Sequence, residues 1–226
     1  MATAESLPNV STRGDVAVLG LLVVPGFMAL VWLALPLWRT PFPILLFAAV
    51  GLVCTWIVLD IVGLDSLADV VKLLSYAFLG YWLLSLFDEL WWVALVAAVI
   101  PWVDVWSVAT GPTKYVTHEQ PGFFEHVSVA FPVTGERASL NMGPPDVIFF
   151  ALFLAAADRF RLRVGWTWLG MTACLSLTVL LVWWIAHSGL PALPAVALGF
   201  LVPNADRIWR HVQETRRARR DLEGAR

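Results

Sequence analysis

The chain has 226 residues, of which 59% are hydrophobic and 14% charged, with a formal net charge of −2. An average soluble domain carries roughly 25% charged residues, so this composition points to a bilayer as the main solvent and excludes a disordered, collagen-like or disulfide-rich secreted chain. It also excludes a nucleic-acid binder, because no basic face is long enough to track phosphates.

A membrane-crossing helix needs roughly 20 mostly apolar residues. Residues 1–15 predict a short tail, and Val16 to Trp38 is the first apolar run. That run is too long for a signal-peptide core and lacks a basic segment before it, so it reads as a retained helix. Pro41 and Pro43 restart the chain, and Phe42 to Leu64 is the second run. Leu67 to Phe87 is the third, carrying Lys72 near its start, and Asp88-Glu89 marks a turn. Leu90 to Thr110 is the fourth, with Pro101 inside it. A polar loop, 111–139, follows. Within it His126 to Val133 alternates with period two and ends at a proline, the pattern of a short strand or hairpin. Leu140 to Phe160, Gly165 to Ala186 and Leu190 to Ala205 are the fifth, sixth and seventh runs. Residues 207–226 form a basic tail, read as a helix that contacts anionic lipid headgroups. There is no internal repeat and no second soluble domain. The expected fold is therefore all-α, a polytopic bundle of about seven spans: 16–89 holds the first three and 90–206 the last four.

Orientation follows from the arginines. Arg39, the trio Arg159, Arg161 and Arg163, and the tail residues Arg207, Arg210, Arg216, Arg217, Arg219, Arg220 and Arg226 all fall on one side of a seven-span chain. That side is expected to be cytoplasmic, with the N-terminus and the 111–139 loop outside a plasma membrane. Only two of the 15 basic residues are lysines, a usage suggestive of a GC-rich bacterial genome.

Carboxylates inside a bilayer are costly and mark functional sites by default. Asp104 lies six residues before the end of the fourth run, about 9 Å below the outer surface at ~1.5 Å per residue. Asp146 follows Gly143-Pro144-Pro145 at the start of the fifth. The two helices are consecutive and antiparallel, so both acids arrive at similar depth. Two such carboxylates share a proton, and one can activate a water while the other protonates a carbonyl oxygen. The seventh run opens with Pro191-Ala192-Leu193-Pro194, where two prolines break regular helix at the same level. Irregular backbone at that depth is tolerated where it is buried in protein or lines a wet cavity. A bland reading exists for each acid alone: Asp104 as a cap or polar lock, Asp146 as a dipole-favoured first-turn residue.

Other polar residues carry blander expectations. Asp60, Asp65 and Asp69 read as an interfacial acid cluster, and Asp158 as a paired boundary residue. His118, His126 and His187 lack ligand-spaced partners, so no metal is expected. Cys54 and Cys174 read as two buried free thiols. Trp91-Trp92 and Trp183-Trp184 read as interface anchors.

Taken in order, Val103-Asp104, Gly143-Pro144-Pro145-Asp146 and Pro191-Ala192-Leu193 resemble the Tyr-Asp, Gly-x-Gly-Asp and Pro-Ala-Leu motifs of the presenilin and signal peptide peptidase family of intramembrane aspartyl proteases. The resemblance covers about residues 90–206 and suggests a divergent bacterial member. It implies a presenilin-like bundle whose seven spans correspond to the family's last seven of nine, sided as in signal peptide peptidase. It implies Asp104 and Asp146 as the catalytic dyad. Gly143, Pro144, Pro145, Pro191, Ala192 and Leu193 would shape the active site. The substrate would be a transmembrane helix or signal-peptide remnant, able to pair with the loop strand, and no metal or organic cofactor is implied. Two departures stand out: Val103 replaces the usual Tyr, and Pro145 replaces the second Gly. The Pro145 departure leaves open a non-catalytic presenilin-like protein that binds membrane helices, and the two acids with the broken helix leave open a small proton-coupled transporter. Oligomeric state is not legible.

Overall fold

The computed structural model describes residues 18–109, 126–132, 139–185 and 191–224. Prolines set the character of the first helix, α1 (Leu19–Arg39). It starts as a π-helical turn, Leu19–Val23, becomes regular α-helix over Val24–Ala34, and tightens to a 3-10 segment, Leu35–Arg39. Pro25 and Pro36 each withhold an N–H donor at these changes of pitch. Helix α2 (Phe42–Val62) stops at Gly63, whose φ of 80° places it in the left-handed region that glycine adopts without strain. Helices α3 (Asp65–Leu84) and α4 (Leu90–Ala109) follow. Strand β1 (Val129–Pro132) pairs antiparallel with β2 (Ser139–Met142), with Val129 opposite Met142. Helices α5 (Pro144–Arg159), α6 (Val164–Ile185) and α7 (Leu193–Gly224) complete the chain.

The bundle is organised around α5. Every residue from Phe150 to Ala157 is buried, a pattern found only in a helix covered on all sides. α3 packs on one side of it and α7 on another. α2 lies outside α3, α4 lies outside α7, and α6 bridges α7 to α1. Gly80 permits the α3–α5 approach: a Cβ there would stand 2.3 Å from the Ile148 carbonyl oxygen. Small residues at such crossings let backbones meet where no hydrophobic force drives association.

The outer helices are covered with apolar side chains. Ile61 is 80% exposed, Trp102 78% and Phe47 73%. Among the described residues, α1, α2, α3, α4 and α6 are long and apolar enough to cross a membrane. A belt of this size is unstable against water and fits lipid.

Several boundaries differ from expectation. Residues 140–142 belong to β2, and α5 starts only at Pro144, because a residue preceding proline is steered away from helical dihedrals. His126 and Val127 form a helical turn, and the strand starts at Val129. α7 continues without a break into the basic tail. Both described cysteines are free thiols as expected, but Cys54 is exposed on the outer face of α2 and Cys174 is half-buried, since neither α2 nor α6 is covered all round. Trp183 and Trp184 lie outside the side chains described.

A polar clamp fixes α6 on α7. Asn204 is fully buried. Its amide donates to Thr167 Oγ1 at 2.7 Å and to the Phe200 carbonyl at 2.8 Å, and its Oδ1 accepts the Arg163 N–H at 3.0 Å. Arg163 also grips Asp206 with two 2.9 Å bonds. Asn204→Ala is expected to cost about 2 kcal/mol, because it leaves buried partners unsatisfied. Partial desolvation pushes the Asp206 carboxyl up, but the hydrogen bond from Arg210 and the charge and hydrogen bonds of Arg163 outweigh it, and the group sits below the usual carboxylate range. A depressed folded value gives stability that is complete above the unfolded value, near 3.9, and lost as pH falls through the folded one. The thermal midpoint is therefore expected to drop more steeply below about pH 4 in the parent than in Asp206→Asn.

Candidate functional site

The two ends of the bundle differ in chemistry. One carries Asp60, Asp69, Asp104, Asp146, the hairpin and the start of α7; the other carries Arg39, Arg159 and Arg163.

At the acid end, Asp104 is half-buried in the last turns of α4, three residues after Pro101. Its Oδ2 accepts the backbone N–H of Leu193 at 3.0 Å. Leu193 is the first residue of α7, and its N–H is one of the donors that a helix cannot satisfy internally. The next residue, Pro194, has no N–H to offer. Asp104 therefore caps α7 from a different helix, and the Pro191-Ala192-Leu193 segment is held against the first acid.

Asp146 is the third residue of α5. Pro144 and Pro145 occupy the first two positions, where missing N–H groups cost nothing. The Asp146 N–H donates to the Gly143 carbonyl at 3.1 Å. Its carboxylate folds back toward Gly143, whose extended backbone would place a Cβ 3.5 Å from Oδ2, an ordinary contact. Asp146 is partly exposed, and the Asp104 carboxylate acts on it electrostatically. α7 packs along α4 and against α5, while α4 and α5 barely touch. The start of α7 is bonded to Asp104, and α7 also packs against α5, the helix that carries Asp146. Glycine freedom is not what this site uses at position 145: Pro145 sits in regular helix.

Sequence reasoning puts Asp104, Asp146 and Leu193 at one level; the structure bonds Asp104 to Leu193 and has Asp146 at the same end of the bundle. It missed the side chains that dock the hairpin beside them. Lys72 is 4% exposed and donates to the Ser128 carbonyl at 3.3 Å and to Asp69 Oδ1 at 3.4 Å. It also lies 5.2 Å from the Trp56 ring centre. Asp69 accepts the Ala130 N–H at 3.3 Å, Tyr76 donates to the Val127 carbonyl at 2.6 Å, and His126 pairs with Asp60 at 2.9 Å. The available signal was the opposite charges of Asp69 and Lys72, three residues apart on one helix face. Asp60 and Asp69 are thus partnered rather than a bare acid cluster. Lys72→Met removes the cation from a buried pair, a change that costs several kcal/mol locally. Amide exchange over residues 129–132 is expected to accelerate at least about tenfold, and hydrogen-exchange mass spectrometry reads it.

Asp158, at the other end, is a paired boundary residue, but its partners are Trp38 Nε1 at 2.8 Å and Arg39 at 2.9 Å, not the adjacent Arg159. Trp91 donates to Glu89, and its ring lies 3.7 Å from that of Trp92. His118 and His187 lie outside the described residues. Among the described residues no three His, Cys, Asp or Glu side chains are grouped as a metal site. No family model, curated protein or solved structure matches this chain.

Proposed function

We propose that the chain is an intramembrane aspartyl protease of the presenilin and signal peptide peptidase type, which cleaves transmembrane helices or signal-peptide remnants through Asp104 and Asp146. The observation that supports the reading is Asp104 bonded to the Leu193 N–H at the end of the bundle where α5 begins with Asp146. In this reading one carboxylate takes a proton from a water as that water attacks the peptide carbonyl, and the other protonates the carbonyl oxygen. Either acid can fill either role. Pro191, Ala192 and Leu193 shape one wall, and Gly143 to Pro145 another.

A helical peptide bond is shielded by its own hydrogen bonds, so the substrate must unwind before attack. Met142, at the end of β2, is four residues before Asp146, so an extended peptide added to the hairpin would run toward the acid. All seven helices span a plasma membrane in this reading, with the N-terminus outside and the arginine end in the cytoplasm. The short α5 needs no apolar outer face, because its neighbours cover it.

One observation favours a non-catalytic helix-binding protein of the same architecture. Asp104 already serves as a cap for α7, and Asp146 already sits in the first turn of α5, where the dipole favours an acid. The deciding experiment is reconstitution into proteoliposomes with a single-pass transmembrane reporter. Fragments that appear with the parent and vanish with Asp104→Asn and Asp146→Asn support the protease. Capture of the intact reporter, equal in parent and variants, identifies the binding protein. A pH-driven solute flux without fragments identifies a transporter.

A further inference from the structure

At the arginine end, the last turn of α1, the start of α2, the end of α3 and the end of α5 enclose a cavity of about 190 Å³. Its polar lining comes from Arg39, Thr40, Ser85 and Arg159, and its apolar lining includes Phe42 and Leu45. We propose that this cavity holds the phosphate of an anionic membrane phospholipid.

The lining supplies both halves of such a ligand. Arg39 commits one nitrogen to Asp158 at 2.9 Å, and its side chain is 67% exposed. Arg159 commits one nitrogen to the Leu84 carbonyl at 3.0 Å and lies 3.8 Å from Asp88. A guanidinium carries five donors in a planar fork that matches phosphate oxygens, so these bonds orient the two cations without exhausting them. Asp158 offsets one charge, and its Oδ2 is already shared by Arg39 and Trp38. Asp88 is 93% exposed and offsets little. Thr40 and Ser85 also line it, with the Ser85 hydroxyl donating to the Trp82 carbonyl. Beneath them, Leu45 and the half-exposed Phe42, whose ring packs 5.6 Å from Trp82, offer an apolar floor for the glycerol and first acyl carbons.

Position decides the source of the phosphate. The cavity lies where apolar helices end, which in a bilayer would be headgroup depth, where basic pockets between membrane helices recognise anionic headgroups. Inorganic phosphate would leave the apolar floor facing water. A choline headgroup would bring its own cation beside two arginines, so a net-negative glycerol-type headgroup fits best. The site is separate from the basic tail and does not depend on the protease reading.

The full chain would be purified with mixed phosphatidylglycerol and phosphatidylcholine, and the retained lipid counted by native mass spectrometry. Retention of phosphatidylglycerol over phosphatidylcholine by about tenfold, lost by a similar factor in Arg39→Gln/Arg159→Gln, is the expected result. Arg217→Gln/Arg219→Gln/Arg220→Gln in the tail should leave that retention in place. Because Arg159 also holds the Leu84 carbonyl, circular dichroism checks the double variant. If it unfolds, Arg39→Gln alone must lower retention at least about threefold. Equal retention of both lipids, undiminished retention in the arginine variants, loss with the tail variant alone, or full displacement by millimolar inorganic phosphate would each overturn the proposal.

Discussion

Asp146→Asn is expected to reduce reporter cleavage by about 10² to 10⁴-fold, the contribution of a positioned acid or base, with a stability loss no larger than the roughly 1 kcal/mol a first-turn acid contributes. Asn is isosteric with Asp, and the described structural bond at this position is made by the backbone N–H to Gly143. Asp104 separates chemistry from structure more sharply. Asp104→Asn keeps a carbonyl oxygen that can still accept the Leu193 N–H, so α7 stays capped while the proton-transfer group is gone. Asp104→Ala removes both. The first should be inactive and as stable as the parent. The second should be inactive and less stable by about 1 kcal/mol, the usual value of a lost N-terminal cap. Activity and stability measured on all three variants give a pattern that a purely structural role cannot produce. If Asp104→Asn still cleaves, Asp104 is only the cap of α7 and the dyad is lost.

That experiment also bears on Pro145, the departure from the glycine motif. With Pro144 and Pro145 at the first two positions of α5, the chain enters the helix with no wasted donor, and Asp146 falls in the first turn. The proline pair positions the acid by a rigid start rather than by close backbone approach. A protease built this way would hold its second acid on the most buried helix of the bundle.

Much of this arrangement is legible in the amino-acid sequence. Among the described residues, apolar run length marks seven helices, of which five are long and apolar enough to cross a membrane. Parity then placed Asp104 and Asp146 at one end, and Pro191 and Pro194 marked the broken start of α7. What remained hidden depended on long-range partners. No local pattern shows that Asp104 reaches Leu193, 89 residues away, or that Lys72 is buried under Ser128 across 56 residues. The start of α5 was misread for a simpler reason. Leu140 to Met142 are apolar enough to continue the run, and hydropathy outweighed the restriction that Pro144 places on the residue before it. The expected hairpin is present, but its second strand, β2, extends past the 111–139 loop for the same cause.

Gly199→Val is expected to cost about 3 kcal/mol or more. α6 and α7 cross backbone to backbone there. A Cβ on Gly199 would stand 2.4 Å from both the Cα and the N of Met171, and 2.6 Å from the Gly170 carbonyl carbon. No side chain can rotate away to relieve this, so the helices must separate. Separation also strains the Asn204 clamp one turn further along α7. Gly51 provides the control: nothing lies within 4 Å of a Cβ there, so Gly51→Ala should be neutral or slightly stabilising through helix propensity. Thermal unfolding in detergent compares the two directly. The effect should extend to the site, because Leu193 lies six residues before Gly199 on the same helix, about 9 Å along its axis. Moving α7 away from α6 shifts the N–H that Asp104 holds. Gly199→Val should therefore lose cleavage even at temperatures where circular dichroism still shows a helical protein, whereas Gly51→Ala should retain it.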